Sequence, residues 1–174
     1  LSWRDEIKRL RAAGCRGIKL HPEFQGIDLA DKRLNPFFEE VSGDFIVVIH
    51  MGDRNKTPEN FSTPKKLAAI LNLFPKLKVV AAHMGGYCFW EEALNELAGR
   101  DLYLDTSSTI RYIDRGLLKK IISKHGVERI LFGSDFPLQA PSEAHKELES
   151  LDFLTASMKE RILGGNAALL LGDK

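Results

Sequence analysis

Residues 45–52 read FIVVIHMG, and this pattern indicates the fold because it recurs along the chain. An unbroken run of apolar, mostly β-branched residues ends at His50 and a glycine. Near-continuous apolar runs of this length are typical of strands buried on both faces, as in a parallel sheet. The same form, a short apolar stretch that ends in polar residues, recurs at residues 17–21 (GIKLH), 78–83 (KVVAAH), 102–106 (LYLDT) and 129–135 (RILFGSD).

Amphipathic segments separate these predicted strands. Between Thr63, which suits an N-cap, and Pro75, which ends the run, apolar residues recur at the spacing of one helix face. Further helices are predicted around Trp3, Asn35, Trp90 and Leu117. The strand ends at positions 21, 50, 83, 106 and 135 are spaced for one strand and one helix each. The sequence therefore predicts an α/β fold, a single βα domain over residues 1–174 with at least five parallel strands.

Composition excludes several classes of function. The chain has 174 residues, 25 basic and 24 acidic, for a net charge of +1, so we expect no nucleic-acid partner. No apolar run approaches the roughly 18–20 residues that span a bilayer, and no signal peptide is apparent, so we expect a cytoplasmic protein without membrane contact. Cys15 and Cys88 do not form a disulfide framework. No Gly-x-Gly-x-x-Gly or Walker loop favours nucleotide binding.

Four metal-competent side chains end predicted strands: His21, His50, His83 and Asp135. The carboxyl ends of parallel strands meet at one edge, where α/β proteins bind ligands. Imidazole and carboxylate together suit zinc, manganese or iron. Each residue alone has an ordinary alternative, a hydrogen-bonded loop histidine or a turn aspartate, but their repetition favours a metal site. His125 and His145 are expected to be solvated.

The motifs carry a resemblance when taken in order. They are residues 17–22 (GIKLHP), 48–52 (VIHMG), 82–86 (AHMGG), 104–107 (LDTS), 131–137 (LFGSDFP) and 162–172 (ILGGNAALLLG). Together they resemble the amidohydrolase-related branch of the amidohydrolase superfamily, which comprises metal-dependent TIM-barrel hydrolases and decarboxylases. The resemblance implies that His50 is a metal ligand, and that His83 is a second ligand or holds the metal-activated water. Asp135 would bind the metal weakly and act as general base, so that Asp135 and His83 are the expected catalytic residues.

Other residues near the strand ends are candidates for binding substrate. Lys19 and His21 point to the same side of their strand, because side chains alternate, and either suits a substrate carboxylate. A carboxylated Lys19 that bridges metals, as in some superfamily members, is an alternative, and so is a structural role. Arg54 and Arg111 follow two strands and suit bidentate binding of an anionic group. Thr106 and Ser107 are expected to line the same edge.

The chain departs from the family pattern at its beginning. It contains no His-x-His pair, which ends the first strand in the family, and residues 17–21 match the fourth strand. We therefore expect an incomplete (β/α)8 TIM barrel made of about five C-terminal βα units, with strands 1–3 missing. A fragment, a truncated product that dimerises and a degenerate half barrel are the alternatives. Open sheet edges favour association, so a homo-oligomer is expected.

The predicted function is a metal-dependent hydrolase that acts on a small carboxylated, amide or lactone substrate through a metal-activated water. Zinc is the favoured metal, with manganese or iron as alternatives. A non-oxidative decarboxylase is the first alternative, because both reactions use the same metal-binding edge. The second is a non-catalytic half barrel or fragment that binds a ligand or partner.

Overall fold

The computed structural model describes residues 2–57 and 59–172, so Leu1, Pro58, Asp173 and Lys174 of the predicted domain lie outside the described residues. Strands and helices alternate along the chain. The strands are β1 (Gly17–Leu20), β2 (Ile46–Ile49), β3 (Lys78–Ala81), β4 (Tyr103–Asp105) and β5 (Ile130–Leu131). The longer helices are α1 (Trp3–Ala12), α3 (Asn35–Val41), α4 (Pro64–Leu73), α5 (Trp90–Glu96), α6 (Arg115–His125) and α7 (Pro141–Glu149). The shorter helices are α2 (Pro22–Gln25), α8 (Ala156–Glu160) and α9 (Asn166–Leu171).

The strands form one parallel sheet in the order β1-β2-β3-β4-β5, which confirms the predicted fold class. Each strand pairs with the next along the chain, as in Leu20 with Ile49 and Ile49 with Ala81. Since all the strands run in one direction, their carboxyl ends lie along one edge of the sheet. That edge carries the polar residues that follow each strand.

Local sequence explains where the helices begin. The Thr63 hydroxyl accepts a hydrogen bond from the Lys66 N–H at 3.3 Å, and Pro64 takes the first position of α4, as predicted. The Asp114 carboxylate caps α6 in the same way, accepting from the Leu117 N–H at 2.8 Å. Between α8 and α9 the chain forms a π-helical turn, Arg161–Gly165.

The core lies between the sheet and its helices. Val47, Ile49 and Ala81 are fully buried on the strands. Leu67 on α4 and Ile121 on α6 are buried against the sheet side. Full burial of one such side chain contributes about 1.5–3 kcal/mol to folding. The apolar runs that predicted the strands therefore also anchor the edge that carries the polar groups.

His125 corrects one expectation. It was expected to be solvated, yet it is 1% exposed, and its Nδ1 accepts a hydrogen bond from the Gly99 N–H at 3.2 Å. The reason is helical spacing, because His125 follows Leu118, Ile121 and Ile122 on the buried face of α6. Burial lowers the pKa of His125 to about 4. His145, by contrast, is half-exposed, as predicted.

The last strand is shorter than its sequence suggested. Hydrogen bonding of β5 to β4 stops at Leu131, and the following segment to Asp135 is a loop. The Thr106 hydroxyl takes the place of further sheet pairing, since it both accepts from the Gly133 N–H at 3.1 Å and donates to the Gly133 carbonyl at 3.2 Å. Asp135 is therefore displayed on a loop beyond the sheet.

The structure also shows the state of the two cysteines and the character of the helices. Both cysteines are free: Cys15 is exposed and Cys88 half-buried, in agreement with the expectation of no disulfide framework. Burial raises the pKa of the Cys88 thiol. Among the described residues, no helix has the length and apolar character that a membrane crossing requires.

Candidate metal centre

Three of the predicted histidines meet at the carboxyl edge of the sheet. His21 follows β1, His50 follows β2 and His83 lies two residues beyond β3. The rings of His21 and His50 stack with their centres 3.8 Å apart and their planes 13° from parallel. The ring of His83 meets His50 edge-on, at 4.7 Å between ring centres and 70° between planes. The parallel order of the strands thus brings together side chains that are far apart in sequence.

Backbone carbonyls define the protonation of the two inner imidazoles. The Nε2–H of His50 donates to the Gly52 carbonyl at 3.1 Å. The Nδ1–H of His83 donates to the Ser107 carbonyl at 3.0 Å, and the Ser107 hydroxyl oxygen lies at the same distance. That hydroxyl gives its own proton to the Asp105 carboxylate, so it also accepts from His83. A carbonyl oxygen only accepts, so the nitrogen that faces it carries the proton in each ring.

The two remaining nitrogens face each other without protons. His50 Nδ1 and His83 Nε2 lie 2.9 Å apart, and both carry lone pairs in these tautomers. At this hydrogen-bond distance two bare nitrogens repel, so the pair either shares a proton, with one ring as imidazolium, or binds a cation. Metal-binding histidines have this arrangement, in which the second ring nitrogen donates to a carbonyl and the first is free for the ion. Burial, together with the neighbouring His83, lowers the pKa of His50 to about 3, which keeps its nitrogen available.

A second layer of contacts holds His83 in place. The Asp105 carboxylate accepts from the backbone N–H groups of both His83 and Ser107, each at 3.0 Å. The Trp90 indole N–H donates to the His83 carbonyl at 3.0 Å. His83 itself is 3% exposed. The sequence analysis assigned no role to Asp105 and expected Ser107 only to line this edge, although both lie in the LDTS motif that ends β4.

Asp135 lies on the other side of the same cavity. Its carboxylate accepts a hydrogen bond from the Ser108 hydroxyl at 2.6 Å. The non-glycine residues with positive φ among the described residues are His83, Met84, Cys88, Ser108 and Asp135. Such backbone conformations cost about 1–3 kcal/mol each and gather where function requires them. The structure therefore concentrates backbone strain around the predicted catalytic residues His83 and Asp135.

The cavity has a volume of about 330 Å³ and is lined by His50, His83 and Asp135 together with aromatic and cationic side chains. Tyr87 and Tyr112 pack edge-to-face, with ring centres 5.8 Å apart. A cavity of this size suits a small molecule. The structure thus brings the three residues predicted to bind metal to one concave surface.

The two predicted arginines differ in their partners. Arg111 lines the cavity but donates to Glu147 at 2.7 Å and to Glu143 at 3.4 Å, so its charge is balanced. Arg54 also lines the cavity, and the neighbouring Tyr87 phenol raises the pKa of Arg54. Among the described residues, no ion pair joins Arg54 to a carboxylate. Arg54 therefore offers the less compensated positive charge.

The remaining candidates lie at the margin of the site. Lys19 is exposed on β1; desolvation near the sheet edge lowers its pKa, and the charges of Asp105 and Asp135 oppose that shift. Thr106 is 5% exposed, and its hydroxyl is engaged with Gly133, so it braces β4 against the loop after β5. His21 caps α2 and accepts from the Phe24 N–H through Nδ1. Desolvation lowers the pKa of His21.

Glu23 is a further group that the sequence analysis did not select. Among the described residues, His21, Glu23 and His50 each offer a ligand atom within 4.8 Å of the other two. Their imidazole and carboxylate donors suit zinc, manganese or iron(II). These three residues fit a divalent cation, and the group includes neither His83 nor Asp135. Glu23 is the second residue of the short helix α2, and in the sequence it looks like an ordinary surface carboxylate. No periodic pattern of residues marked it as a candidate.

Comparisons with known proteins identify the family and the fold. A family model described as amidohydrolase matches residues 3–172. An uncharacterized TIM-barrel protein from Bordetella bronchiseptica superposes with a TM-score of 0.83 at 23% identity, over 98% of this chain and 62% of that chain. A search among curated proteins found no match.

Two similar structures carry activities in their names. A dihydroxybenzoic acid decarboxylase from a Polaromonas species, with bound manganese and the inhibitor 2-nitroresorcinol, has a TM-score of 0.70 at 19% identity, over 97% of this chain and 64% of that chain. A protein described as a 2-pyrone-4,6-dicarboxylic acid hydrolase from Pseudomonas putida has a TM-score of 0.69 at 20% identity, over 98% of this chain and 68% of that chain. The chain thus spans about two thirds of the length of these barrels. Because the family match covers nearly all of it and its parallel sheet superposes on part of a TIM barrel, the chain belongs to the amidohydrolase family.

Proposed function

We propose that this chain carries the metal-binding part of a hydrolase that acts on a small carboxylated, amide or lactone substrate. The observation that supports it is the pair of unprotonated nitrogens, His50 Nδ1 and His83 Nε2, which face each other at 2.9 Å. A divalent cation, with zinc as the first candidate and manganese or iron as others, relieves their repulsion. When bound, such a cation lowers the pKa of water and polarises a substrate carbonyl.

Asp135 serves as the general base in this proposal. It lines the same cavity as both histidines, and the Ser108 hydroxyl orients its carboxylate by donating to one oxygen at 2.6 Å. A carboxylate held in this way accepts a proton from water during attack and returns it to the leaving group. His83 keeps its orientation through Asp105 and Ser107.

Arg54 and the two tyrosines select the substrate. The guanidinium of Arg54 pairs with a carboxylate, since its own described contact is the neutral Tyr87 phenol. The cavity of about 330 Å³ accepts a single small ring or short acid. A small, planar carboxylated molecule, including a lactone with a carboxyl group, fits these dimensions and this charge.

A non-oxidative decarboxylase is the second candidate. It is supported by the edge-to-face tyrosines beside Arg54 and Arg111, which suit a hydroxyaromatic carboxylate, and by the manganese-bound decarboxylase among the similar structures. The two candidates differ in their products, since decarboxylation releases carbon dioxide and hydrolysis releases a new acid.

Turnover of a substrate panel tests the proposal. The chain, loaded with Zn²⁺ or Mn²⁺, is incubated with carboxylated lactones and hydroxybenzoates, and acid and carbon dioxide release are followed. Asp135→Asn should abolish turnover with unchanged far-UV circular dichroism, and the exposed control Asp152→Asn should retain it. Retained turnover in Asp135→Asn would remove this residue from the mechanism.

We also propose that the chain self-associates. Among the described residues, β1 pairs only with β2 and β5 only with β4, which leaves backbone groups available at both ends of the sheet. Light scattering coupled to size exclusion should find a mass above 19.6 kDa, and a monomer across the concentration range would refute self-association.

A further inference from the structure

Glu23 lies beside His21 and His50 at the carboxyl edge of the sheet. His21 ends β1 and caps α2, and Glu23 is the second residue of that helix. One ligand atom from each of these three residues lies within 4.8 Å of the others. Two ligands of one zinc or manganese ion are at most about 4.4 Å apart, because each bond measures about 2.0–2.2 Å. Tetrahedral ligands with such bonds lie about 3.4 Å apart, so the three groups surround one region and must draw closer together to bind one ion.

Ser62 orients the Glu23 carboxylate. Its backbone N–H donates to Oε1 at 3.1 Å, and its hydroxyl donates to Oε2 at 2.6 Å. Ser62 is fully buried and in turn accepts from the Gly52 N–H, so its own position is defined. Among the described residues, no lysine or arginine pairs with Glu23, which leaves its charge free for a cation. Carboxylates that bind metals are commonly held by such hydrogen bonds.

His21 must leave its ring stack to contribute. Its imidazole stacks between Phe24 and His50, with ring centres 3.9 and 3.8 Å away. The hydrogen bond to its Nδ1 from the Phe24 N–H is long, at 3.4 Å, and is therefore weak. An imidazole lone pair lies in the plane of its ring, and nearly parallel planes do not meet at one ion, so the His21 ring must tilt away from His50 to contribute. Phe24, on the other side of the ring, is 87% exposed and can move with it.

We propose that Glu23 is a ligand of the divalent cation bound at His50, with His21 as a further ligand once its ring turns. This inference rests on the proposed function, in which a divalent cation binds at His50. It adds a carboxylate oxygen and a second imidazole to the His50 nitrogen. A mixed nitrogen and oxygen donor set of this kind suits manganese, zinc or iron(II).

Titration of the full chain with Mn²⁺ tests this ligand. The signal of free Mn²⁺ in electron paramagnetic resonance gives the dissociation constant directly, without any substrate. Glu23→Gln should weaken Mn²⁺ binding at least about tenfold, because it removes a charged ligand while keeping the shape of the side chain. Ser62→Ala should weaken it a few-fold, since Glu23 then loses its hydroxyl donor. The control Glu160→Gln, exposed on α8, should bind as the wild type does.

His83→Asn separates the two proposals. If Glu23→Gln binds Mn²⁺ within twofold of the wild type while His83→Asn loses it, the role of Glu23 is refuted and the site at His50 and His83 stands. If Glu23→Gln weakens binding and His83→Asn does not, the cation is held by Glu23 without His83, and the proposed function loses its main support. A wild-type chain that takes up no Mn²⁺ refutes both.

Discussion

Gly52 tests how the backbone shapes the metal centre. Its φ of +80° lies in the left-handed region, and a Cβ atom added there would lie 2.3 Å from the Tyr87 carbonyl oxygen and 2.7 Å from the Tyr87 nitrogen. Both neighbours are backbone atoms, so one segment must move by about 1 Å to reach ordinary van der Waals contact. Gly14 is a matched control, because its φ is +70° but a Cβ there meets nothing within 4 Å.

The two substitutions should therefore differ by a steric cost alone. A left-handed conformation costs an alanine about 1–2 kcal/mol, and both variants carry this cost. Overpacking against backbone adds about 1–3 kcal/mol, which only Gly52→Ala incurs. We expect Gly52→Ala to lower the free energy of unfolding by about 2 kcal/mol more than Gly14→Ala.

Urea denaturation, followed by circular dichroism, measures this difference. Gly52→Ala should also weaken Mn²⁺ binding, because the Gly52 carbonyl holds the tautomer of His50 and the Gly52 N–H contacts Ser62. Gly14→Ala should bind Mn²⁺ as the wild type does. Unfolding free energies that agree within about 0.5 kcal/mol would show that a Cβ atom at position 52 meets no steric cost from the Tyr87 backbone.

Asp105, Trp90 and His125 give three further predictions. Asp105→Asn should weaken metal binding, because a neutral amide then accepts from the His83 backbone N–H in place of a carboxylate. Mn²⁺ titration checks this, with circular dichroism to show that the variant is folded. Trp90→Phe loses the indole bond to the His83 carbonyl and should cost about 1 kcal/mol of stability in urea. His125 has a pKa of about 4 when folded, below its ordinary 6.5. As the pH falls, His125 is therefore protonated in the unfolded chain before it is protonated in the folded one. The free energy of unfolding should fall by about 3 kcal/mol between pH ~6.5 and pH ~4. Urea midpoints across that range should be flatter in His125→Asn, and the control His145→Asn should keep the wild-type slope.

The sheet could be predicted because its strands are marked by composition. The run before His50 and the run before His83 are apolar at almost every position, which only strands buried on both faces require. Once the strands are parallel, their polar ends must lie along one edge. The meeting of His21, His50 and His83 was therefore available from the sequence.

The tautomers could not be predicted in the same way. They depend on where the carbonyl groups of Gly52 and Ser107 point, and Ser107 lies 24 residues from His83. The difference between Arg54 and Arg111 was equally hidden, because the carboxylates that balance Arg111 lie 32 and 36 residues away. Contacts of this kind follow from the fold rather than from any local pattern.

His125 is a different case, because the sequence contained the signal. It continues the spacing of Leu118, Ile121 and Ile122 on one face of α6, and only its polar side chain suggested solvent. Glu23 carried no such signal. Its importance comes from β1 and β2 being neighbours, and from Ser62, which lies 39 residues further along the chain.

The proposed metal centre depends on the unprotonated nitrogens of His50 and His83. Long-range ¹H–¹⁵N NMR correlations of the metal-free chain at neutral pH identify which ring nitrogens carry protons. We expect a proton on Nε2 of His50 and on Nδ1 of His83, with the facing nitrogens bare and both shifting when Zn²⁺ is added. A proton on Nε2 of His83 donated to His50, with no change on addition of Zn²⁺, would contradict the proposed metal centre.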